Sequence, residues 1–183
     1  MKKTMKVLLA LGLSMLAVGG SSMAFAQGEN NGKSAVVYFS ASGVTRTVAK
    51  NLGAALGAEV FELTPAVPYS GNDLNYRDSS SRCVKENNTA NARPALAGDY
   101  SAVLNYDTIY LGFPVWWNKA PKIVNTFTDK YNLAGKKVYV FVTSGGSGVS
   151  GSFNTLKREY LNVEFVKGKE LERSSSGNEL ANW

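Results

Sequence analysis

The sequence predicts a three-layer α/β domain, a parallel sheet covered by helices on both faces, and three observations predict it. From Ser34 onward, five short β-rich runs alternate with stretches of helical spacing. The leading runs are continuously apolar rather than alternating, as in Ala35-Val36-Val37-Tyr38-Phe39, the pattern of strands covered on both sides. Helical segments lie between successive strands, as right-handed crossovers between parallel strands require. With 183 residues, 44% hydrophobic and 19% charged, the chain can bury one such core and still carry an appendage, which excludes bulk disorder and collagen-like or coiled-coil architectures.

The appendage comes first. Met1 to Lys6 holds three lysines, Val7 to Gly20 is apolar or small, and Ala24-Phe25-Ala26 fits a small-x-small cleavage site. Residues 1–26 are therefore expected to be a signal peptide, since the apolar run is shorter than the roughly 20 residues a bilayer needs. Its removal would take three lysines and no acid, halving the formal net charge of +6. An exported protein is expected, most simply periplasmic, with no stable membrane insertion after cleavage. Polar residues 27–33 read as a flexible tether, leaving residues 34–183 as the domain.

Within the domain, Ala35 to Phe39 is the first strand. Thr45 to Leu56 is the first helix, with Val48, Leu52, Ala55 and Leu56 on one side and Gly57 past its end. Val60 to Leu63 is the second strand and completes a βαβ unit. From Thr64 to Gly98 the period is lost among prolines, asparagines, serines and charges, so an irregular insertion is expected, of the kind that is either a functional cover or disordered. Alternation then resumes: a strand over Thr108 to Phe113, a helix over Ala120 to Tyr131 opened by Pro121, a strand over Lys137 to Thr143, and a helix over Phe153 to Leu161. Val163 to Val166 is the last strand. Gly177 to Trp183 is a short terminal helix, which predicts thin cover over one flank of the sheet.

Composition removes most protein-based chemistry. Histidine is absent, which eliminates Ser/His/Asp and Cys/His hydrolases, His-ligated metals and the usual near-neutral acid or base. The single Cys83 can form no internal disulfide or thiolate metal cluster, and nothing beside it but Arg82 and Lys85 would activate it. Chemistry here points to a bound cofactor. No nucleic-acid motif occurs.

Three loops leave strand ends on the side where open α/β sheets bind ligands. The first, Ser40-Ala41-Ser42-Gly43-Val44-Thr45, combines small hydroxyl residues with a glycine at a helix start, which suits a phosphate; its alternative is a simple helix cap. It is neither a Walker A loop nor a G-x-G-x-x-G fingerprint. The second, Gly112 to Pro121, sets Trp116 and Trp117 beyond a strand end. Alternation in an extended segment would send one ring to the core and leave one as a stacking surface; the alternative is that both pack against the insertion. The third, Thr143 to Gly151, would turn backbone amides toward a polar ring edge, or be only a flexible connection.

Taken in order, Tyr38-Phe39-Ser40-Ala41-Ser42-Gly43-Val44-Thr45, Tyr106 through Trp117, and Gly135 through Gly148 resemble the flavodoxin family, in particular exported bacterial flavodoxin-like proteins with a long insertion after strand two. Pro68-Tyr69, Asp73-Leu74-Asn75-Tyr76, Ser81-Arg82, Glu86 and Arg93-Pro94 extend the likeness into the insertion. The resemblance implies a five-stranded sheet of order 2-1-3-4-5 and noncovalent FMN. It assigns Ser40, Ser42, Gly43, Val44 and Thr45 to the FMN phosphate. Pro114, Val115, Trp116 and Trp117 fall to the isoalloxazine, and Ser144, Gly145, Gly146 and Ser147 to its other polar edge. Arg46, just past the phosphate loop, is expected to face solvent.

An electron carrier exchanging with redox partner proteins needs no acid or base from the chain, which agrees with the missing histidine. The alternative is an FMN-dependent reductase of quinones or similar small acceptors, with Tyr76, Arg82 and Arg93 as polar groups of its pocket; a nicotinamide donor sits poorly with export. A flavodoxin-fold binding module without FMN is the remaining class.

Overall fold

The computed structural model describes residues 33–183. The expected signal peptide, and all of the expected tether except Lys33, lie outside the described residues. The elements are β1 (Ser34–Tyr38), α1 (Val44–Leu56), β2 (Glu59–Glu62), α2 (Arg82–Asn88), β3 (Thr108–Pro114), α3 (Lys122–Lys130), β4 (Lys137–Thr143), α4 (Ser150–Glu159), β5 (Glu164–Glu170) and α5 (Gly177–Ala181), with 3-10 turns at Asn72–Leu74 and Ser101–Asn105. The five strands form one parallel sheet of order β2-β1-β3-β4-β5, as expected. From β1 the chain goes out to β2 on one side and then crosses to β3 on the other. The crevice beyond the ends of β1 and β3 is thus the topological switch point.

Two apolar layers fill the space on either side of the sheet. Val37, Phe39, Leu111, Phe113 and Val140 meet Ile123, Val124 and Phe127 of α3 and Leu156 of α4. On the opposite face, Val36, Tyr38, Tyr110 and Phe141 meet Val48, Ala49 and Leu52 of α1. The buried stripe of α1 is Thr45, Val48, Ala49 and Leu52, so the expected Ala55 faces solvent and the stripe begins one turn earlier. Gly112 is required here: a Cβ on it would fall 2.0 Å from the Phe141 ring, which lies across the glycine.

The sheet's far edge departs from expectation. β5 runs to Glu170 rather than ending at Val166, and it carries an irregularity where Val138 pairs with Phe165 but Tyr139 pairs with Lys167. Its second half, Lys167-Gly168-Lys169-Glu170, holds no apolar run because an edge strand is free to carry lysines, which discourage pairing with another chain. α4 likewise begins at Ser150, one turn before the expected start, on a stretch too polar to show a period.

The insertion is more ordered than its composition suggests. Its two ends are zipped by a short antiparallel bridge between Pro65 and Leu96, with Ala66 N–H donating to Ala95 O at 2.7 Å and Ala97 N–H to Thr64 O at 2.8 Å. Beyond that stem, Ser70 and Asp73 close a turn on each other, and α2 buries Cys83. A seven-residue helix with one fully buried side chain leaves no readable period in the sequence.

The short terminal helix does not leave its flank thinly covered. α5 buries Leu180, and Trp183 closes against Tyr110 and Tyr139, with ring centroids 5.3 and 5.6 Å away. Trp183 anchors itself by donating its indole N–H to Leu180 O at 2.7 Å. One large ring does the covering that a longer helix would otherwise do. No helix among the described residues is long and apolar enough to cross a membrane.

Candidate functional site

β1 ends in the first loop, which folds back because Gly43 takes φ 86°, a left-handed conformation that glycine adopts without strain. Ser40, nearly buried, accepts the Gly43 N–H on its Oγ at 3.1 Å and so shapes the loop from inside. No side chain caps α1, and its first turn holds no acidic residue. The positive end of that helix is therefore left uncapped and unneutralised, the arrangement that attracts an anion. Thr45 lies underneath: it is 1% exposed, and its hydroxyl meets that of Thr143 at 2.8 Å.

The second loop is not the extended segment expected. Trp116 and Lys119 exchange backbone hydrogen bonds of 3.0 and 2.9 Å, and Trp117 and Asn118 between them both take positive φ, 47° and 61°. This is a tight hairpin of the I′ kind, which normally selects Asn-Gly. A tryptophan at its first position is strained, and the strain is held at a cavity wall. Alternation does not separate the two rings, because both line the same cavity. Trp116 is half-buried, edge-on to Phe39 at 5.9 Å and to Tyr69 at 5.6 Å. Trp117 is 41% exposed. The turn leans on α4, where a Cβ on Gly151 would come within 2.9 Å of Asn118.

In the third loop, Ser144 Oγ accepts from the amides of Gly146, Ser147 and Gly148 at 3.1, 2.8 and 3.3 Å. This is a self-capped turn rather than a loose connection.

The three loops and the insertion enclose a cavity of about 550 Å3, within the range of small-molecule sites. Of the residues singled out from sequence, Ser42, Pro114, Val115, Trp116, Trp117, Ser144, Gly145 and Ser147 line it. Ser40, Gly43, Val44, Thr45 and Gly146 belong to the same loops but are not among its lining residues; Ser40 and Thr45 are buried, while Gly146 is exposed. Sequence reasoning missed Leu74 and Cys83, which the insertion brings in alongside Tyr76. Nothing local marks them, since they reach the wall only through the folding of a segment without periodicity.

Two arginines proposed for the pocket are tied elsewhere. Arg93 pairs with Asp129 of α3, and Arg82 pairs with Glu86 at 2.6 Å. Arg46 is exposed, as expected, and pairs at the surface with Glu62: its Nη2 meets Glu62 Oε1 at 2.6 Å and its Nε reaches both carboxylate oxygens. Glu62 also accepts the Tyr38 hydroxyl at 2.8 Å. Burial works to raise the Glu62 carboxyl, but the hydrogen bonds from Arg46 and Tyr38 outweigh it and hold the group below its usual range. Burial, then Glu86, pushes the Tyr69 phenol far above its ordinary value, so it stays a donor. Among the described residues no cluster of His, Cys, Asp or Glu could hold a metal ion.

A 2-1-3-4-5 parallel sheet whose first, third and fourth strands deliver loops to one cavity defines a flavodoxin-like α/β protein. The chain belongs to the flavodoxin family, whose match covers residues 33–183. Among solved structures it is similar to a candidate flavoprotein from Bacteroides eggerthii, with 37% identity, 84% of this chain and 96% of that one covered, and a TM-score of 0.81. A second candidate flavoprotein, from Bacteroides uniformis, shows 39% identity over 83% and 97% of the two chains with a TM-score of 0.79. A flavoprotein from Lactobacillus acidophilus, solved in complex with FMN, shares the fold at 20% identity over 76% and 93%, with a TM-score of 0.60. No curated protein sequence matches significantly.

Proposed function

We propose that the protein binds one FMN in this cavity and serves as an electron-transfer flavoprotein. The observation that carries the reading is the uncapped, acid-free N-terminus of α1 opening beside the cavity that Trp116 and Trp117 line, one feature for an anion and the other for a flat conjugated ring. The two similar Bacteroides flavoproteins and the FMN complex of the Lactobacillus protein support the same assignment. When bound, FMN would supply the redox chemistry, accepting and releasing electrons in a chain that has no histidine to do other work.

The chain's own part is binding and exclusion of water. Ser42 and the first-turn amides of α1 would hold the phosphate; Pro114, Val115 and the two tryptophans would line the ring; Ser144, Gly145 and Ser147 would meet its polar edge. Exchange with redox partner proteins would occur at the mouth, where Tyr76 and Trp117 are exposed. The reductase alternative needs polar groups for a second small molecule. Engagement of Arg82 with Glu86 and of Arg93 with Asp129 weighs for the carrier. Export to the periplasm is part of the proposal and rests on the lysine-flanked apolar leader; N-terminal sequencing of the protein from a periplasmic fraction tests it, with Gln27 the expected first residue.

Titration of the purified protein with FMN is the deciding experiment. One equivalent should bind, with a shifted flavin absorbance and quenched fluorescence, and riboflavin should bind more weakly. A folded protein that leaves FMN fluorescence unchanged would overturn the reading.

A further inference from the structure

Trp116 faces the cavity on one side and rests on the insertion on the other. It forms a three-ring cluster with Phe39 and Tyr69, the Phe39 and Tyr69 centroids lying 5.7 Å apart. Phe39 is fixed, because it is 1% exposed just past the end of β1. Tyr69 is held differently. It comes from the insertion, packs its ring against the core beside Phe39 and Trp116, and is further held by polar groups delivered by α2.

Arg82 supplies them. Its guanidinium lies 4.0 Å over the Tyr69 ring, within cation–π range. Its Nη1 donates to Val67 O at 2.6 Å, holding the backbone two residues before Tyr69. Its Nε donates to Glu86 Oε1 at 2.6 Å, and the other Glu86 oxygen accepts the Tyr69 hydroxyl at 2.5 Å. One planar group thus restrains Tyr69 at its ring face, at its backbone approach and, through Glu86, at its hydroxyl. The side chains of Arg82 and Glu86 are only 23% and 13% exposed. An ordinary surface i,i+4 pair has no such ties. A lysine could carry the charge but not stack and fork at once.

We infer that Arg82 is a positioning residue of the cavity: it fixes Tyr69, and Tyr69 fixes the ring plane that Trp116 offers to a ligand. The inference deepens the flavin reading and rests on it for the identity of the ligand alone. The insertion then does more than cover the site, since it sets the angle of a wall belonging to β3's loop.

The test uses the whole protein with Trp117→Phe and Trp183→Phe, so that Trp116 is the one emitter of the three tryptophans. Without FMN, Arg82→Met should raise acrylamide quenching of Trp116 about twofold as the ring gains freedom, and should weaken the near-ultraviolet circular dichroism of the cluster, with the far-ultraviolet signal unchanged. Arg82→Lys should resemble Arg82→Met. Arg93→Met, which breaks the insertion's tie to Asp129 instead, should leave both Trp116 signals at their starting values. With both native tryptophans restored, Arg82→Met should weaken FMN binding by about threefold to tenfold and shift the flavin spectrum.

A folded Arg82→Met protein with unchanged Trp116 signals overturns the inference, as does an equal response to Arg93→Met. Should Arg82→Met not fold, Tyr69→Phe, which keeps the ring and loses the link to Glu86, must raise Trp116 quenching; an unchanged value is equally fatal. Failure of the parent protein to bind FMN sinks the flavin reading and leaves the Trp116 measurements to judge Arg82 separately.

Discussion

The hydroxyl of Thr45 meets that of Thr143 at 2.8 Å, tying the first turn of α1 to the last residue of β4 directly under the proposed phosphate loop. Thr45→Val leaves the Thr143 hydroxyl buried without its partner and should cost about 1–3 kcal/mol of stability, whereas Thr45→Val combined with Thr143→Val removes both polar groups and should recover most of it. Urea denaturation of the three proteins measures this. If Thr45 also serves a phosphate, the double variant regains stability without regaining its preference for FMN over riboflavin.

Trp116 and Trp117 should respond to substitution in opposite senses. Trp116→Ala removes a half-buried ring from the Phe39–Tyr69 cluster and should lower stability, by less than the roughly 3 kcal/mol expected of a fully buried tryptophan. Trp117→Asn relieves a left-handed tryptophan at φ 47° and should stabilise the fold by about 1 kcal/mol. Both should weaken FMN. Thermal melts paired with FMN titrations separate the two effects, and a Trp117→Asn protein that melts lower than the parent contradicts the strain argument.

Glu62 should make part of the stability acid-sensitive. Its folded-state pKa is depressed below the ordinary 4.5 by Arg46 and Tyr38, so its contribution is complete above that value and is lost as pH falls through the folded pKa. The melting-temperature gap between the parent and Glu62→Gln should be widest near neutral pH and close in acid. Added salt should narrow it at neutral pH, because the Arg46 side chain is 46% exposed.

Tyr76 gives a separate handle on the insertion. It is 64% exposed yet lines the cavity, so Tyr76→Ala should leave the melting temperature within a degree or two while raising bound-flavin fluorescence and speeding reoxidation by oxygen. Stopped-flow reoxidation at the parent's rate would assign Tyr76 to partner contact instead of cover.

The sheet was legible because its inner strands, β1, β3 and β4, are buried on both faces and must be written in apolar residues. β5 was only half legible, since Lys167 and Lys169 sit on an edge where burial does not constrain them. At the site, the loops were readable from glycines, hydroxyls and tryptophans at strand ends. The hairpin at Trp117 was not, because its residue type contradicts its turn type; strain held by tertiary packing leaves no local signature. Leu74 and Cys83 were invisible for a different reason: their place at the wall depends on the Pro65–Leu96 stem and on α2, neither of which has a periodic pattern. Trp183 was mistaken for the end of a weak helix, although one aromatic ring suffices to close over Tyr110 and Tyr139.

The pairing of Ser34 with Thr108 in adjacent strands has a consequence for the order of events in folding. Those two residues meet only after the chain between them, insertion included, has closed into a loop. Omitting residues 64–98 would shorten that loop by about half, a difference of about 0.6 kcal/mol in closure entropy. Against the roughly 5–15 kcal/mol by which domains are stable this is slight, so a sheet of this topology tolerates a long excursion at that point. Its trace is in time: where β1–β3 pairing limits the rate, the chain should reach its native sheet about threefold more slowly than a version lacking the segment.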